Sequence, residues 1–308
     1  MLATLCTWII GFYFLGYLIP HTFVAWFFKT KNLKKAYNAE WALVTGSSSG
    51  IGKAYAKKLA SQGLNVVLVA LDDALLEETY TELTAAYPNV TFRKVGVNLG
   101  RPGYLEQIKS ATADINVQCA FLNAGYMITG MFDSVPIERH MENMECNATS
   151  AVQITHMLLQ RMLAKSLPGC FVYTSSAAAA IPNPFSVLYA STKSFLSSFG
   201  ASLAAEVRHA GIDVLVVHPS PVASRFYDKA HKLSALEFFQ KMAVQPEDLP
   251  DTVFGSIGRL VWRDVGPTAL GFRMLMKVLD YNLFAMIIAL TAPMTGDFKK
   301  YMNKSKAQ

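Results

Sequence analysis

Charge and cysteine are what this chain has least of. Of its 308 residues only 16% are Asp, Glu, Lys or Arg, and there are four cysteines and six histidines. The cysteines, at 6, 119, 146 and 170, have no metal-like or framework spacing, which argues against a zinc module and a disulfide scaffold. Cys119 and Cys170 fall in expected core strands, and unpaired buried thiols fit a reducing compartment. Repeats are absent, and so is any low-complexity run beyond Ala177 to Ala180. No nucleic-acid module is visible. The net charge of +6 gathers largely beside apolar segments, which suits an anionic membrane surface.

Charge is wholly missing from Leu2 to Phe28. As one helix this run would measure about 40 Å, longer than the roughly 30 Å hydrocarbon core of a bilayer. Pro20 and His21 interrupt it, while Tyr13, Tyr17 and Trp26 suit an interfacial position. No basic stretch precedes the run, so an uncleaved anchor is expected rather than a signal peptide. The alternative is an apolar helix packed on its own domain. Lys29, Lys31, Lys34 and Lys35 follow at once and predict a cytosolic catalytic domain. Sequons at Asn89, Asn147 and Asn303 would then be inert. The tail Lys304-Ser305-Lys306-Ala307-Gln308 resembles a K-x-K-x-x retrieval signal, so the endoplasmic-reticulum membrane is the expected location.

What the chain does have is a glycine turn between a strand and a helix. Trp41 to Val44 reads as a buried strand, and Thr45-Gly46-Ser47-Ser48-Ser49-Gly50-Ile51-Gly52 leads into a helical pattern from Lys53. Gly46 permits a tight turn, and Gly50 and Gly52 let backbone approach a pyrophosphate at a helix N-terminus. Further on, Tyr189 and Lys193 stand four apart on one helical face. A neighbouring ammonium favours the phenolate and is expected to lower the tyrosine pKa, making an acid/base device.

Together these residues, with Asn123-Ala124-Gly125, Asn147 and Ser176, resemble the classical short-chain dehydrogenase/reductase family over about residues 40 to 225. The apolar N-terminus, Ile181-Pro182-Asn183-Pro184 and an apolar C-terminal patch are similar to its membrane-bound 3-oxoacyl-CoA reductase and 17β-hydroxysteroid dehydrogenase group. The resemblance implies that Tyr189 exchanges a proton with the substrate oxygen and that Ser176 holds that oxygen. It implies that Lys193 lowers the tyrosine pKa and binds the nicotinamide ribose, while Asn147 positions a relay water. Blander roles stay open. Ser176 would serve as a strand-end cap, with Ser175 equally available; Asn147 would cap the next helix; Lys193 would be a solvated face residue; and Asn123 to Gly125 would be an ordinary turn.

Several positions depart from the family pattern. Ala70 replaces the acid that binds the ribose of NAD, and Leu71 stands where NADP-binding members often place Arg. Asp72 and Asp73 would repel a 2′-phosphate, whereas Ser47 would donate to it. NADP(H) is favoured over NAD(H). Asn98, with Leu99 beside it, takes the usual Asp position near the adenine. Val222 and Ser224 match positions that hold the carboxamide. Ser220 replaces a glycine and is expected to adopt its backbone shape.

Strands are predicted near 41–45, 65–70, 90–95, 118–122, 170–174 and 213–217. Helices are predicted near 52–62, 73–87, 103–112, 148–166 and 187–209. This alternation predicts an α/β fold, a Rossmann-type doubly wound parallel sheet covered on both faces. The expected organisation is a membrane anchor over 1–28, a basic linker over 29–39, a catalytic domain over 40–265 and an apolar extension with a basic tail over 266–308. An amphipathic stripe from Leu233 to Met242 reads as core or as a substrate lid. Residues 281–293 are too short to span and read as a second membrane contact, a lipid-channel cover or a subunit contact. The resulting expectation is a reductase of a lipid carbonyl, with no metal and, by family analogy, a homodimer. Its competitors are an NAD-dependent sterol or retinol dehydrogenase and a non-catalytic nucleotide-binding scaffold.

Overall fold

The computed structural model describes residues 2–28, 30–228 and 233–305, with backbone only for 2, 3, 5–7, 9, 10, 235 and 302–305. Lys29, Lys306 and the side chains of Cys6, Asn303 and Lys304 lie outside this description. Seven parallel strands form one sheet in the order β3-β2-β1-β4-β5-β6-β7. They are β1 (Trp41–Thr45), β2 (Asn65–Ala70), β3 (Phe92–Gly96), β4 (Val117–Leu122), β5 (Gly169–Thr174), β6 (Ile212–Pro219) and β7 (Trp262–Val265). Residues of β1, β4 and β5 are buried along their whole length, which is why these strands read as unbroken apolar runs. Helices cover both faces. One core holds Tyr55, Phe121 and Phe254 in mutual ring contact; the other holds Leu43, Phe171, Tyr173 and Val216.

The strand order reverses at β1, whose neighbours are β2 and β4. Such a switch point opens a crevice beyond the carboxyl ends of the strands. The glycine turn leaves β1 there, Asn123 follows β4, Ser176 follows β5 and Ser220 follows β6.

Six predicted strands are present with small boundary shifts, and β7 was not foreseen. Its sequence, Trp262-Arg263-Asp264-Val265, puts two charges in a strand, yet Arg263 and Asp264 are both buried. Outside the sheet, Leu2–Phe27 is one helix that runs through Pro20. It lies against its own domain: Val24 is buried, Tyr17 donates to Asp264 at 2.7 Å, and Lys277 sits 3.8 Å over the Tyr13 ring. Its opposite side leaves Trp8, Phe12 and Trp26 exposed. Among the described residues no single helix is long and apolar enough to cross a membrane; Pro267–Val278 and Tyr281–Met294 pass together, with a 111° bend between them. The stripe near 233–242 contains a short helix, Ser234–Gln240.

Candidate active site

The turn after β1 is built so that backbone lies open. Gly46 has φ +63°, and a Cβ there would lie 2.9 Å from the Cα of Ala124. A Cβ on Gly52 would lie 2.1 Å from the Gly46 carbonyl oxygen, so no side chain fits. Gly50 (φ +50°) faces the side chain of Ser224. Thr45 Oγ1 accepts from the backbone N–H of Asn123 and of Ala124, at 2.9 and 3.0 Å, clasping the ends of β1 and β4 together. The helix Gly50–Ser61 begins at Ser49, whose side chain makes no capping bond. Its first N–H groups therefore lack a side-chain acceptor, the arrangement that accepts an anion. Crowded glycines and an uncapped helix fit a pyrophosphate.

Ser47 departs from expectation. It is fully buried, and its hydroxyl donates to the Val69 carbonyl at 3.3 Å, so its one proton is committed away from a ribose phosphate. Leu71 is exposed beyond β2. Asp73 caps the helix Ala74–Ala86 by accepting from Leu76 N–H, and the side chain of Asp72 lies over Gly96. Asn98 accepts from Gly100 N–H at 2.9 Å beside buried Leu99.

Ser176, Tyr189, Lys193 and Asn147 come together beyond β4 and β5. Ser176 lies near enough to the Tyr189 phenol to oppose the rise in its pKa, and it caps the short turn Ala177–Ala180, accepting from Ala178 N–H at 3.1 Å. The cap uses Ser176 Oγ only as an acceptor and leaves its proton uncommitted. Ser175 is not an equal candidate, because its hydroxyl is spent on the Lys193 carbonyl at 2.8 Å. Lys193 is no solvated residue: it is 3% exposed, donates to the Thr174 carbonyl at 2.7 Å and lies 5.8 Å from the Tyr189 ring centroid.

Asn147 does not cap a helix. It sits in a π-helical turn, Glu145–Thr149, inside a continuous helical segment. One extra residue in that turn aims its amide inward, a local distortion common at functional sites. Its Oδ1 accepts from Tyr126 N–H at 2.9 Å, and its Nδ2 donates to the Tyr126 carbonyl at 2.8 Å. A Cβ on Gly125 would lie 3.2 Å from both Asn147 Oδ1 and Lys193 Nζ, so these groups converge over that glycine. At 1% exposure Asn147 is closed to a glycan in the folded chain.

The expected acidic phenol is not what this site holds. Burial pushes the Tyr189 phenol up to about 12, and the Ser176 hydrogen bond lowers it only in part. Burial also brings the Lys193 ammonium down to about 8, opposed by the nearby Cys146. Desolvation outweighs the attraction expected from the four-residue spacing. Near neutral pH the pair is a protonated phenol beside a mostly charged amine.

Ser220 also departs from expectation. It is not among the described residues with positive φ, and it packs against Gly266, which has φ +90°. Ser220 Oγ instead accepts from Ala269 N–H at 3.0 Å and would lie 2.6 Å from a Cβ on Gly266. Ser224 caps the turn Arg225–Tyr227, and Val222 is buried and bridges Val244. Phe226, which no motif singled out, packs on Tyr189 with ring centroids 5.6 Å apart. Only its proximity in space marks it.

The short chain dehydrogenase family matches residues 40–233. The very-long-chain 3-oxoacyl-CoA reductase-B of Danio rerio is 31% identical over 205 residues, covering 65% of this chain and 65% of that protein. The hydroxysteroid dehydrogenase-like protein 1 of Gallus gallus is 31% identical over 202 residues, covering 65% of this chain and 60% of its own. This chain therefore aligns with somewhat less than two thirds of either relative's length. A structure from work on 7β-hydroxysteroid dehydrogenase stereoselectivity superposes with a TM-score of 0.75 at 23% identity, covering 84% of this chain and 100% of that one, a likeness of fold.

Proposed function

This chain belongs to the short chain dehydrogenase family, whose enzymes are NAD(P)-dependent, and from that premise we propose that it is a membrane-anchored reductase of a lipid carbonyl. The substrate is of the 3-oxoacyl-CoA or ketosteroid type and the product is the secondary alcohol. The observation that carries this reading is the convergence of Ser176, Tyr189, Lys193 and Asn147 beside an open glycine turn.

The turn Gly46 to Gly52, with Asn98, Asn123 to Gly125, Val222 and Ser224, would hold the nicotinamide cofactor. That group supplies the hydride when bound. Ser176 donates a hydrogen bond to the substrate oxygen as negative charge develops there. Tyr189 gives its hydroxyl proton to the same oxygen, and a phenol near 12 is a donor at neutral pH rather than a base. Lys193, kept cationic below about pH 8, supports the phenolate left behind. Asn147, pinned at both ends of its amide by Tyr126, holds a relay water for reprotonation. NADP(H) is favoured because no carboxylate stands at Ala70. The carboxylate of Asp72 over Gly96 favours the second reading, an NAD(H)-dependent sterol or retinol dehydrogenase.

The membrane reading is supported by Trp8, Phe12 and Trp26 on one side of the N-terminal helix, and by Leu283, Met286 and Leu290 on the helix Tyr281–Thr291, none of whose residues is buried. The free thiols of Cys119, Cys146 and Cys170 suit a domain on the cytosolic side of the endoplasmic reticulum. Leu163 and Phe195 stay exposed on the two helices through which a homodimer would form.

Tyr189→Phe provides the test. With the proton donor gone, kcat on long-chain 3-oxoacyl-CoA and ketosteroid panels should fall by about 10²–10⁴ while nucleotide binding persists. Equal, slow turnover by both proteins would instead support a nucleotide-binding scaffold.

A further inference from the structure

Arg263 and Asp264 are buried in β7 although nothing in the catalytic cycle uses them. Asp264 pairs in register with His218 on β6, and its Oδ1 lies 3.6 Å from His218 Nδ1. Arg273 binds the same carboxylate with two nitrogens, at 3.0 and 3.2 Å. The remaining approach is filled from the N-terminal helix, where Tyr17 donates to Asp264 Oδ2 at 2.7 Å. Arg263 donates to the His21 carbonyl at 2.8 Å on the same helix.

On its other side this cluster grips the catalytic helix, Val187–Val207. His218 is 1% exposed, and burial lowers its pKa to about 4, so the ring is neutral. The Asp264 carboxylate faces Nδ1 across 3.6 Å, a contact too long for a hydrogen bond. Nε2 lies 2.9 Å from Ser197 Oγ, within hydrogen-bond distance. Ser197 lies one turn after Lys193, and its Oγ is 2.8 Å from the Lys193 carbonyl. Trp262 Nε1 donates to the Ser197 carbonyl at 3.2 Å, and Arg273 stacks 4.8 Å over the Trp262 ring. Asp264, His218, Ser197, Trp262 and Arg273 therefore form a closed circuit of contacts, which Tyr17 joins at Asp264.

We infer that Tyr17 is a positioning residue for the catalytic lysine, and that the N-terminal helix is part of the catalytic unit as well as its tether. Loss of the Tyr17 hydroxyl leaves a buried carboxylate short of a donor. The slack passes through His218 to Ser197 and reaches the turn that sets the height of Lys193. Contiguity alone does not demonstrate such coupling; a double-mutant cycle does.

The inference rests on the reductase reading for its kinetic test, which uses the full chain in detergent. Tyr17→Phe should lower kcat about five-fold, with substrate KM unchanged, through lost coupling of the usual size. The double variant Tyr17→Phe/Ser197→Ala should be no slower than Ser197→Ala alone. Phe12→Ala, on the exposed side of the same helix, should match wild type. Additive losses, or a Tyr17→Phe protein as fast as wild type, overturn the inference. If Tyr17→Phe does not fold, Arg273→Lys enters the same cycle with the same expectation. If the wild-type protein reduces no carbonyl, the proposed function fails, and amide hydrogen exchange decides the coupling independently. Faster exchange over Lys193 to Ser197 in Tyr17→Phe, absent from Phe12→Ala, supports it, and unchanged exchange overturns it.

Discussion

The glycine turn and the outer helices use the same residue to opposite ends. In the turn, a Cβ on Gly52 would collide with backbone at 2.1 Å, and one on Gly46 at 2.9 Å. In the outer helices, a Cβ on Gly11, Gly16 or Gly271 would meet nothing within 4 Å. Apolar side chains divide the same way. Leu43, Val44 and Phe121 are fully buried, whereas Phe12, Leu290 and Met294 are each more than two thirds exposed. The inner region spends its apolar surface on packing, at about 1.5–3 kcal/mol for each large side chain buried. The outer region leaves that surface exposed, so it adds little to folding.

Substitutions at glycine should separate the two regions most sharply. Gly52→Ala should abolish nucleotide binding in calorimetric titration and lower stability by about 1–3 kcal/mol, the usual cost of overpacking. Retained binding would mean that the turn is not a phosphate cradle. The next effect is on pH. For carbonyl reduction both useful forms are protonated, the phenol of Tyr189 and the ammonium of Lys193. Activity should therefore be level below about pH 8 and decline above it as Lys193 loses its proton, while Tyr189, near 12, stays protonated. A kcat/KM profile flat to pH 10 would show that the lysine charge is not needed.

Effects at the outer helices should spare the chemistry. Leu290→Gln with Met294→Gln should weaken binding to anionic vesicles about ten-fold, from roughly 1.4 kcal/mol of lost apolar contact, and leave kcat on a water-soluble carbonyl unchanged. Undiminished vesicle binding would remove this face from the membrane. Gly271→Ala should be the mildest, raising stability by about 0.5–1 kcal/mol in thermal melts because it removes helix-interior glycine from open space. Destabilisation there would point to a partner on that face.

What was legible in the chain follows from how local each signal is. Strands such as Ala42 to Val44 and Val66 to Val69 are buried on both faces, so they read as apolar runs. The proposed catalytic residues were legible as a group because Tyr189 and Lys193 share one helix and Ser176 precedes them at a fixed separation. β7 was not, since Arg263 and Asp264 look like solvated residues until Tyr17, His21 and Arg273 meet them from distant parts of the chain. The helix-cap alternative for Asn147 stayed open because a π-helical turn has no sequence mark of its own. The glycine-like backbone expected at Ser220 is not adopted there, and no local signal showed that Ser220 would instead pack against Gly266, nearly fifty positions away.

The amino-acid order alone determined the alternation of strands and helices, the sites where backbone must lie bare, and the spacing of phenol and amine on one helical face. Only the folded chain decided the protonation of that pair and the depth at which charges such as Asp264 are tolerated. The reason is physical. Helical and strand periodicity arise between near neighbours, whereas the free energy of an ionised group depends on how much water is removed and which distant dipoles and charges replace it.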